Sequence, residues 1–191
     1  MPDLNFEMEV LDPVDHSQMR LKGQYTPAAV LVLIFERNRE PCILLTKRTL
    51  NVRHHKGEIS FPGGRMDKDD GHLLNTAIRE TFEEIGINIS EKKVLGQLKD
   101  SPTTSGYMIR PFVAALEYPY HPVPSSGEVS EILEMPFEIL LDDVKWRDES
   151  RLSNNRLKSS LNYVFDGHVV HGATARILSD LSGMVGSLSD V

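Results

Sequence analysis

A continuous apolar run from Ala28 to Phe35 is the sequence feature that most constrains the fold of this chain. Its eight residues are rich in branched side chains, which is typical of a strand buried on both faces, and they are too few to cross a bilayer. A second apolar run, Cys42 to Thr46, follows a short charged turn. The two runs predict a hairpin of buried strands inside an α/β domain.

From Gly71 onward the apolar period changes from that of a strand to that of a helix. Residues suited to one buried stripe recur at spacings of three and four positions: Leu73, Leu74, Ala77, Ile78, Thr81 and Ile85. The pattern predicts an amphipathic helix, with Asp70 as its N-cap and Gly86 as its C-terminal stop. Further strands are predicted over residues 94–98, 109–116 and 161–165, and a second helix over residues 174–181.

The chain shows no internal repeat and no low-complexity linker, so we expect a single domain. The domain is predicted over residues 26–181, after an N-terminal extension of residues 1–25 and before a tail of residues 182–191. The 40% hydrophobic and 26% charged residues are typical of a globular protein.

Charge and cysteine content exclude several classes of function. A net charge of −7 argues against a dedicated nucleic-acid scaffold. Cys42 is the only cysteine, which excludes an internal disulfide framework and an all-cysteine metal site. Since neither a secretory signal nor a membrane-spanning run is present, we expect a cytoplasmic protein with no nucleic-acid or membrane partner. The oligomeric state stays open, and a homodimer is compatible with the sequence.

Three glutamates mark one face of the predicted helix. Glu80 and Glu84 are four positions apart, and Glu83 is three positions from Glu80, so their carboxylates lie close together. The repulsion between them destabilises an isolated helix. A hard divalent cation such as Mg²⁺ or Mn²⁺ would remove that cost, because both prefer oxygen ligands.

The residues around the glutamates favour a metal site over a solvated acidic face. Arg79 lies four positions before Glu83 and can hold its carboxylate. Gly63 and Gly64 fit a tight turn where the backbone approaches a ligand, and a carbonyl at this turn can complete a metal shell.

This stretch resembles the Nudix hydrolase family. The family's signature helix reads Arg-Glu, an aliphatic residue, any residue, Glu-Glu, any residue, Gly and an aliphatic; here it is Arg79-Glu80-Thr81-Phe82-Glu83-Glu84-Ile85-Gly86-Ile87, with Thr81 departing. The family pattern also places five residues between a Gly and a Glu, and seven residues between that Glu and the Arg. Counting from Gly64 gives Asp70, and eight residues separate it from Arg79.

A second motif just upstream resembles the coenzyme A pyrophosphatase branch of this family, and only Thr49 departs from it. The matching residues are Leu44-Leu45-Thr46-Lys47-Arg48-Thr49, Arg53, Gly57 and Phe61-Pro62-Gly63-Gly64. Weaker resemblance extends to residues 104–107, 128–131 and 172–176, so that the likeness covers about residues 26–181.

The resemblance implies a mixed β-sheet sandwiched between helices, an α/β/α arrangement, and a Mg²⁺- or Mn²⁺-dependent hydrolase. Its substrate would be coenzyme A or an acyl-coenzyme A. Cleavage of the pyrophosphate would give 3′,5′-ADP and 4′-phosphopantetheine or its acylated form. One alternative is a Nudix diphosphatase acting on ADP-ribose, NADH or a dinucleotide, because fold does not fix function. Another is a catalytically silent binding module.

The resemblance also implies roles for individual residues. The metal ligands would be Glu80 and Glu84, helped by Gly64 and by Glu83. Glu83 is also a candidate general base, as are Glu128 and Glu131 on a later loop, while Arg79 supports the catalytic helix. The substrate-binding residues would be Arg48, Arg53, Gly57 and Gly63. The two arginines suit phosphate oxygens, since their guanidinium groups are planar and permanently charged.

Overall fold

A mixed sheet of eight strands forms the centre of the fold. The structure, a computed structural model, describes residues 11–15, 25–51, 55–153 and 156–186. The strands of this sheet are β1 (Thr26–Arg37), β2 (Glu40–Arg48), β3 (Ile59–Ser60), β4 (Gly63–Arg65), β5 (Val94–Gln97), β6 (Ser101–Pro102), β7 (Tyr107–Ala115) and β8 (Val129–Pro136). The order is β3-β2-β1-β7-β5, with β4 on β1, β6 on β7 and β8 on β2. The β1–β7 pair is parallel, and the other pairs are antiparallel.

Strand β1 separates two hydrophobic cores, as its continuous apolar sequence predicts. Val30, Val32 and Ile34 point into one core, while the alternate residues Leu31 and Leu33 point into the other. The hairpin to β2 is confirmed, with Ile34 opposite Ile43.

Helix α1 (Leu73–Ile85) covers one face of the sheet and confirms the predicted amphipathic helix. Leu73, Leu74, Ala77 and Ile85 are buried in its core. Gly86 ends the helix in the left-handed conformation, with φ 71°. The predicted N-cap was wrong: the cap is His72, whose side chain accepts a hydrogen bond from the Asn75 backbone N–H, because the carboxylate of Asp70 is bound elsewhere.

The other face is covered by a smaller layer that the sequence predicted only in part. It contains α2 (Phe137–Leu140), α3 (Gly172–Gly186) and a three-stranded antiparallel sheet of β9 (Trp146–Ser153), β10 (Arg156–Phe165) and β11 (His168–Val170). The main sheet is thus sandwiched between helices as expected, with this additional small sheet. Helix α3 extends the predicted helix to Gly186, so residues 182–186 are helical rather than part of a tail.

Part of the N-terminal extension packs against the sheet edge. Asp12 forms a bridge with Gln97, and Asp15 pairs with Arg110, which is buried and also binds Asp100. The remainder of the predicted extension, residues 1–10 and 16–24, lies outside the described residues.

None of the helices in the described ranges is long and apolar enough to span a membrane.

Tyr163 joins the small sheet to α2. Its side chain is fully buried, its ring packs on Trp146 with the ring centroids 4.7 Å apart, and its hydroxyl donates a hydrogen bond to the Ile139 carbonyl. Burial raises the pKa of Tyr163 to about 12, so this hydroxyl remains a donor.

We expect Tyr163→Phe to lower the free energy of unfolding by about 1 kcal/mol, because the Ile139 carbonyl loses the buried hydroxyl donor and keeps only the Asp142 N–H, at 3.3 Å. Urea denaturation followed by circular dichroism measures the change. Tyr118→Phe, at a tyrosine whose side chain is about half exposed, is the matched control and should leave stability nearly unchanged. Equal stabilities of the two variants would contradict the prediction.

Candidate active site

The prediction of a tight turn at Gly63 and Gly64 was wrong: both residues lie in strand β4, because their backbone pairs with Val30 and Ala29 of β1. This strand brings its backbone against α1. Gly63 has φ 149°, and a Cβ there would lie 2.3 Å from the Ala29 carbonyl oxygen, so only glycine fits. A Cβ on Gly64 would lie 2.5 Å from the carboxyl carbon of Glu80. The predicted metal ligands Gly64 and Glu80 are therefore in direct contact.

Glu84 is the most buried acidic side chain of the group, with 3% of the residue exposed. Its Oε2 accepts a hydrogen bond from the Gly63 N–H at 3.3 Å, and its Oε1 lies 3.3 Å from Nη1 of Arg48. Burial raises the pKa of Glu84 to about 8, against the opposing effects of Arg48 and the Gly63 N–H.

Arg79 holds the other two glutamates of α1. Its Nη1 donates to Glu80 at 2.9 Å and to Glu83 at 3.1 Å. Burial raises the pKa of Glu80, and this effect is partly offset by the hydrogen bond from Arg79. Glu83 is mostly exposed, with 56% of its side chain accessible. The predicted Arg79–Glu83 pair is thus present.

Asp70 anchors Arg79 and is the site residue whose role the sequence analysis missed. Its carboxylate accepts two hydrogen bonds from the guanidinium, at 2.7 and 2.9 Å. The Asp67 N–H and the Thr76 hydroxyl donate to the same carboxylate, each at 2.8 Å. The Arg79 guanidinium is the main reason that the pKa of Asp70 falls to about 2. The family pattern, which places an acidic residue near this position, was the one feature of the sequence that could have indicated this role of Asp70.

The candidate bases Glu128 and Glu131 have different surroundings. Glu128 Oε2 lies 3.9 Å from Nη2 of Arg48, and the charge of Glu128 contributes to the raised pKa of Glu84. The Glu128 loop is tied to the end of α1, because the Ser125 N–H donates to the Glu84 carbonyl. Glu131 instead pairs with Lys47, at 3.5 Å. The structure thus brings Glu128, but not Glu131, to the acidic group.

A cavity of about 450 Å³ adjoins this group. It includes Arg48, Gly63 and Gly64 in its lining, and its apolar wall contains Val30, Ile59, Phe61 and Ile109. Residues 103–105 and 171–174, with Tyr107 and Arg176, form another part of the wall. The sequence indicated this wall only through weak family resemblance. Gly57, predicted to bind substrate, does not line the cavity; it occupies a turn with φ 69°. The predicted substrate residue Arg53 lies outside the described residues.

The donor set suits a hard cation. Glu80, Glu84 and Glu128 offer carboxylate oxygens, the preferred ligands of Mg²⁺ and Mn²⁺. Burial and mutual repulsion both disfavour the ionised forms of Glu80 and Glu84, and a cation would offset both effects. Within the described part of the chain, no three acidic, histidine or cysteine side chains already converge as a preformed metal cluster. Several of the carboxylates contact Arg48 or Arg79 instead.

We expect Asp70→Asn to lower the free energy of unfolding by about 2 kcal/mol at pH 7, because the ionised Asp70 is favoured in the folded state. This stabilisation is complete above the unfolded-state pKa, 3.8, and is lost as the pH falls towards 2. The difference in the free energy of unfolding between wild type and Asp70→Asn should be about half as large at pH 3 as at pH 7. Chemical denaturation of both proteins at the two pH values measures this difference.

Asp67→Asn is the control, since Asp67 is largely exposed and lies 4.0 Å from Arg79. Asp67→Asn should change the free energy of unfolding by no more than about 0.5 kcal/mol at either pH. A pH-independent gap for Asp70→Asn would contradict the assigned role of its charge.

Comparisons with known proteins agree with this architecture. The NUDIX domain model matches residues 25–163. A Yersinia enterocolitica protein described as an uncharacterized Nudix hydrolase NudL is 36% identical over 163 residues, covering 83% of this chain and 80% of the relative. A protein of the same description from Photorhabdus laumondii is 33% identical over 168 residues, covering 87% and 88%.

Solved structures show the same fold. The Nudix hydrolase RenU from M. smegmatis superposes with a TM-score of 0.55 at 18% identity, covering 87% of this chain and 89% of that one. The NUDIX domain of Shewanella oneidensis NrtR, complexed with ADP ribose, has a TM-score of 0.51 at 20% identity, covering 63% and 78%. Together with the family model and the two relatives, these findings show that the chain belongs to the Nudix hydrolase family.

Proposed function

We propose that this protein hydrolyses the pyrophosphate bond of coenzyme A and acyl-coenzyme A in the cytoplasm. The products are 3′,5′-ADP and 4′-phosphopantetheine or its acylated form. The observation that carries the proposal is the contact between Arg48 and Glu84: it joins the upstream motif, the acidic helix and the cavity at one place. The upstream motif is the part of the sequence that resembles coenzyme A pyrophosphatases.

Glu80 and Glu84 would hold a divalent cation, Mg²⁺ or Mn²⁺, with Glu128 and the Gly64 carbonyl as further oxygen donors. Nudix hydrolases generally use divalent metal ions. When bound, such an ion neutralises diphosphate charge and lowers the pKa of a coordinated water. Arg79 keeps Glu80 and Glu83 in position, and Asp70 keeps Arg79 in position.

We assign the general base to Glu128: one of its two carboxylate oxygens would bind the cation, which leaves the other to accept a proton. Its carboxylate is 55% exposed, so water reaches it, and its charge is close enough to affect the pKa of both Glu80 and Glu84. In the reaction a water oxygen bonds to one phosphorus while the P–O–P bridge breaks. Glu128 takes the proton of the attacking water, and the leaving phosphate departs as an anion. Glu83 is less suited, because Arg79 already binds it.

The cavity suits a ligand with a charged centre and long uncharged arms. Its volume lies within the usual range of small-molecule sites, about 300–1,000 Å³. Arg48, Arg65 and Arg176 are the basic residues of its lining, and Val30, Phe61 and neighbouring residues are its apolar part. Coenzyme A combines a diphosphate and a 3′-phosphate with an adenine and a pantetheine arm, which matches this division of polar and apolar surface.

We expect purified protein with Mg²⁺ or Mn²⁺ to release 3′,5′-ADP from coenzyme A, acetyl-coenzyme A and a long-chain acyl-coenzyme A. Chromatography of the nucleotide products measures the amount of 3′,5′-ADP released. Glu84→Gln should reduce the rate about a hundredfold or more while the fold remains, because glutamine has the same size and removes a buried charge. Glu91→Gln, at an exposed glutamate away from the cavity, is the control.

Dephospho-coenzyme A and ADP-ribose complete the substrate panel. Faster cleavage of either than of coenzyme A would overturn the substrate assignment and leave a Nudix hydrolase of another nucleoside diphosphate derivative. Absence of cleavage of every compound would also overturn the proposed activity.

The two candidate bases give a separate prediction. Glu128→Gln should lower kcat about a hundredfold or more, as expected for loss of a general base, while Glu131→Gln should change kcat less than about threefold. Steady-state kinetics on the best substrate of the panel measures both. Comparable losses in the two variants, or a larger loss in Glu131→Gln, would contradict the assignment.

A further inference from the structure

Two arginines contact the acidic group, and their bonding differs. Arg79 binds Asp70 through two short, charge-assisted hydrogen bonds, at 2.7 and 2.9 Å. Arg48 approaches Glu84 and Glu128 at 3.3 and 3.9 Å, distances longer than such bonds favour. Arg79 is therefore firmly held, and Arg48 is weakly held.

The Nε atom of Arg48 is buried and has no hydrogen-bond partner among the described residues. A guanidinium has five N–H donors, and leaving a buried donor unsatisfied is unfavourable. The backbone of Arg48 is nevertheless well fixed: its N–H donates to the Glu58 carbonyl at 2.9 Å, and it pairs with Val129 of β8. The side chain can therefore change partners without movement of the strand.

The Arg48 side chain also lines the cavity, on the side where the acidic group adjoins it. It stands between two kinds of negative charge: the carboxylates of Glu84 and Glu128, and any phosphate group in the cavity. A cation bound to those carboxylates would repel the Arg48 guanidinium, because both are positively charged. The cation and the guanidinium also neutralise the same negative charges, those of Glu84 and Glu128.

We propose that Arg48 competes with the divalent cation for Glu84 and Glu128, and that cation binding releases its guanidinium to a phosphate group of the substrate. The inference rests on the metal site proposed above and adds an order to it: the cation binds first and prepares Arg48 for the diphosphate. Arg48 is thus a substrate-binding residue that couples the occupancy of the metal site to substrate binding.

The test is a Mn²⁺ titration of the full-length protein without substrate, by calorimetry. Arg48→Gln should bind Mn²⁺ about tenfold more tightly than wild type, because the competitor is gone, and should have a higher KM for substrate. If Arg48 had a purely structural role, Arg48→Gln would not bind Mn²⁺ more tightly than wild type. Lys47→Gln is the matched control: it removes a neighbouring cation that pairs with Glu131, and should change Mn²⁺ affinity less than twofold.

Unchanged or weaker Mn²⁺ binding by Arg48→Gln would overturn the inference, as would tightening of the same size in Lys47→Gln. If Arg48→Gln fails to fold, Arg48→Lys replaces it: an ammonium group lacks the fork that contacts both carboxylates, so Mn²⁺ affinity should again rise.

The same experiment separates this inference from the proposed function. No Mn²⁺ binding by wild type would overturn both. Tighter binding by Arg48→Gln without cleavage of coenzyme A would overturn only the substrate assignment.

Discussion

The bidentate pair between Asp70 and Arg79 is the interaction on which the site depends. Asp70 is buried, and its carboxylate accepts from a backbone N–H and a hydroxyl as well as from Arg79, so it has little freedom to move. Arg79 is thereby fixed and aligns Glu80 and Glu83 through a single nitrogen. One anchored guanidinium thus organises an acidic surface whose members repel one another.

The apolar strand β1 positions the rest of the site. Its alternating side chains supply both cores, and the antiparallel pairing of Gly63 and Gly64 with this strand holds β4 beside it. Helix α1 packs on one of the same cores. Strand β4 and the acidic face of α1 therefore rest on the same strand, and the close packing of the buried apolar side chains fixes the positions of the polar groups.

Local patterns in the sequence were enough to predict the hairpin, α1 and the clustering of its glutamates, because each follows from side-chain periodicity within one element. Contacts between distant elements were not predictable in this way. The Arg48–Glu84 pair joins residues 36 positions apart, and the role of Asp70 depends on a turn whose path local patterns do not specify. Strand β9 escaped prediction because its polar residues 147–150 are all exposed and show no apolar alternation. The assignment of Arg53 to the substrate stays a prediction.

The part of the cavity wall formed by the start of α3 bears on how the ligand site of such a chain can change in evolution. The general family pattern ends at residue 163, yet residues 171–174 and Arg176, at the start of α3, line the cavity. The proposed metal ligands on α1 and this part of the cavity wall therefore belong to separate stretches of chain. Substitutions, insertions or a shift of α3 can reshape the compartment for the organic part of a ligand while leaving the carboxylates in place.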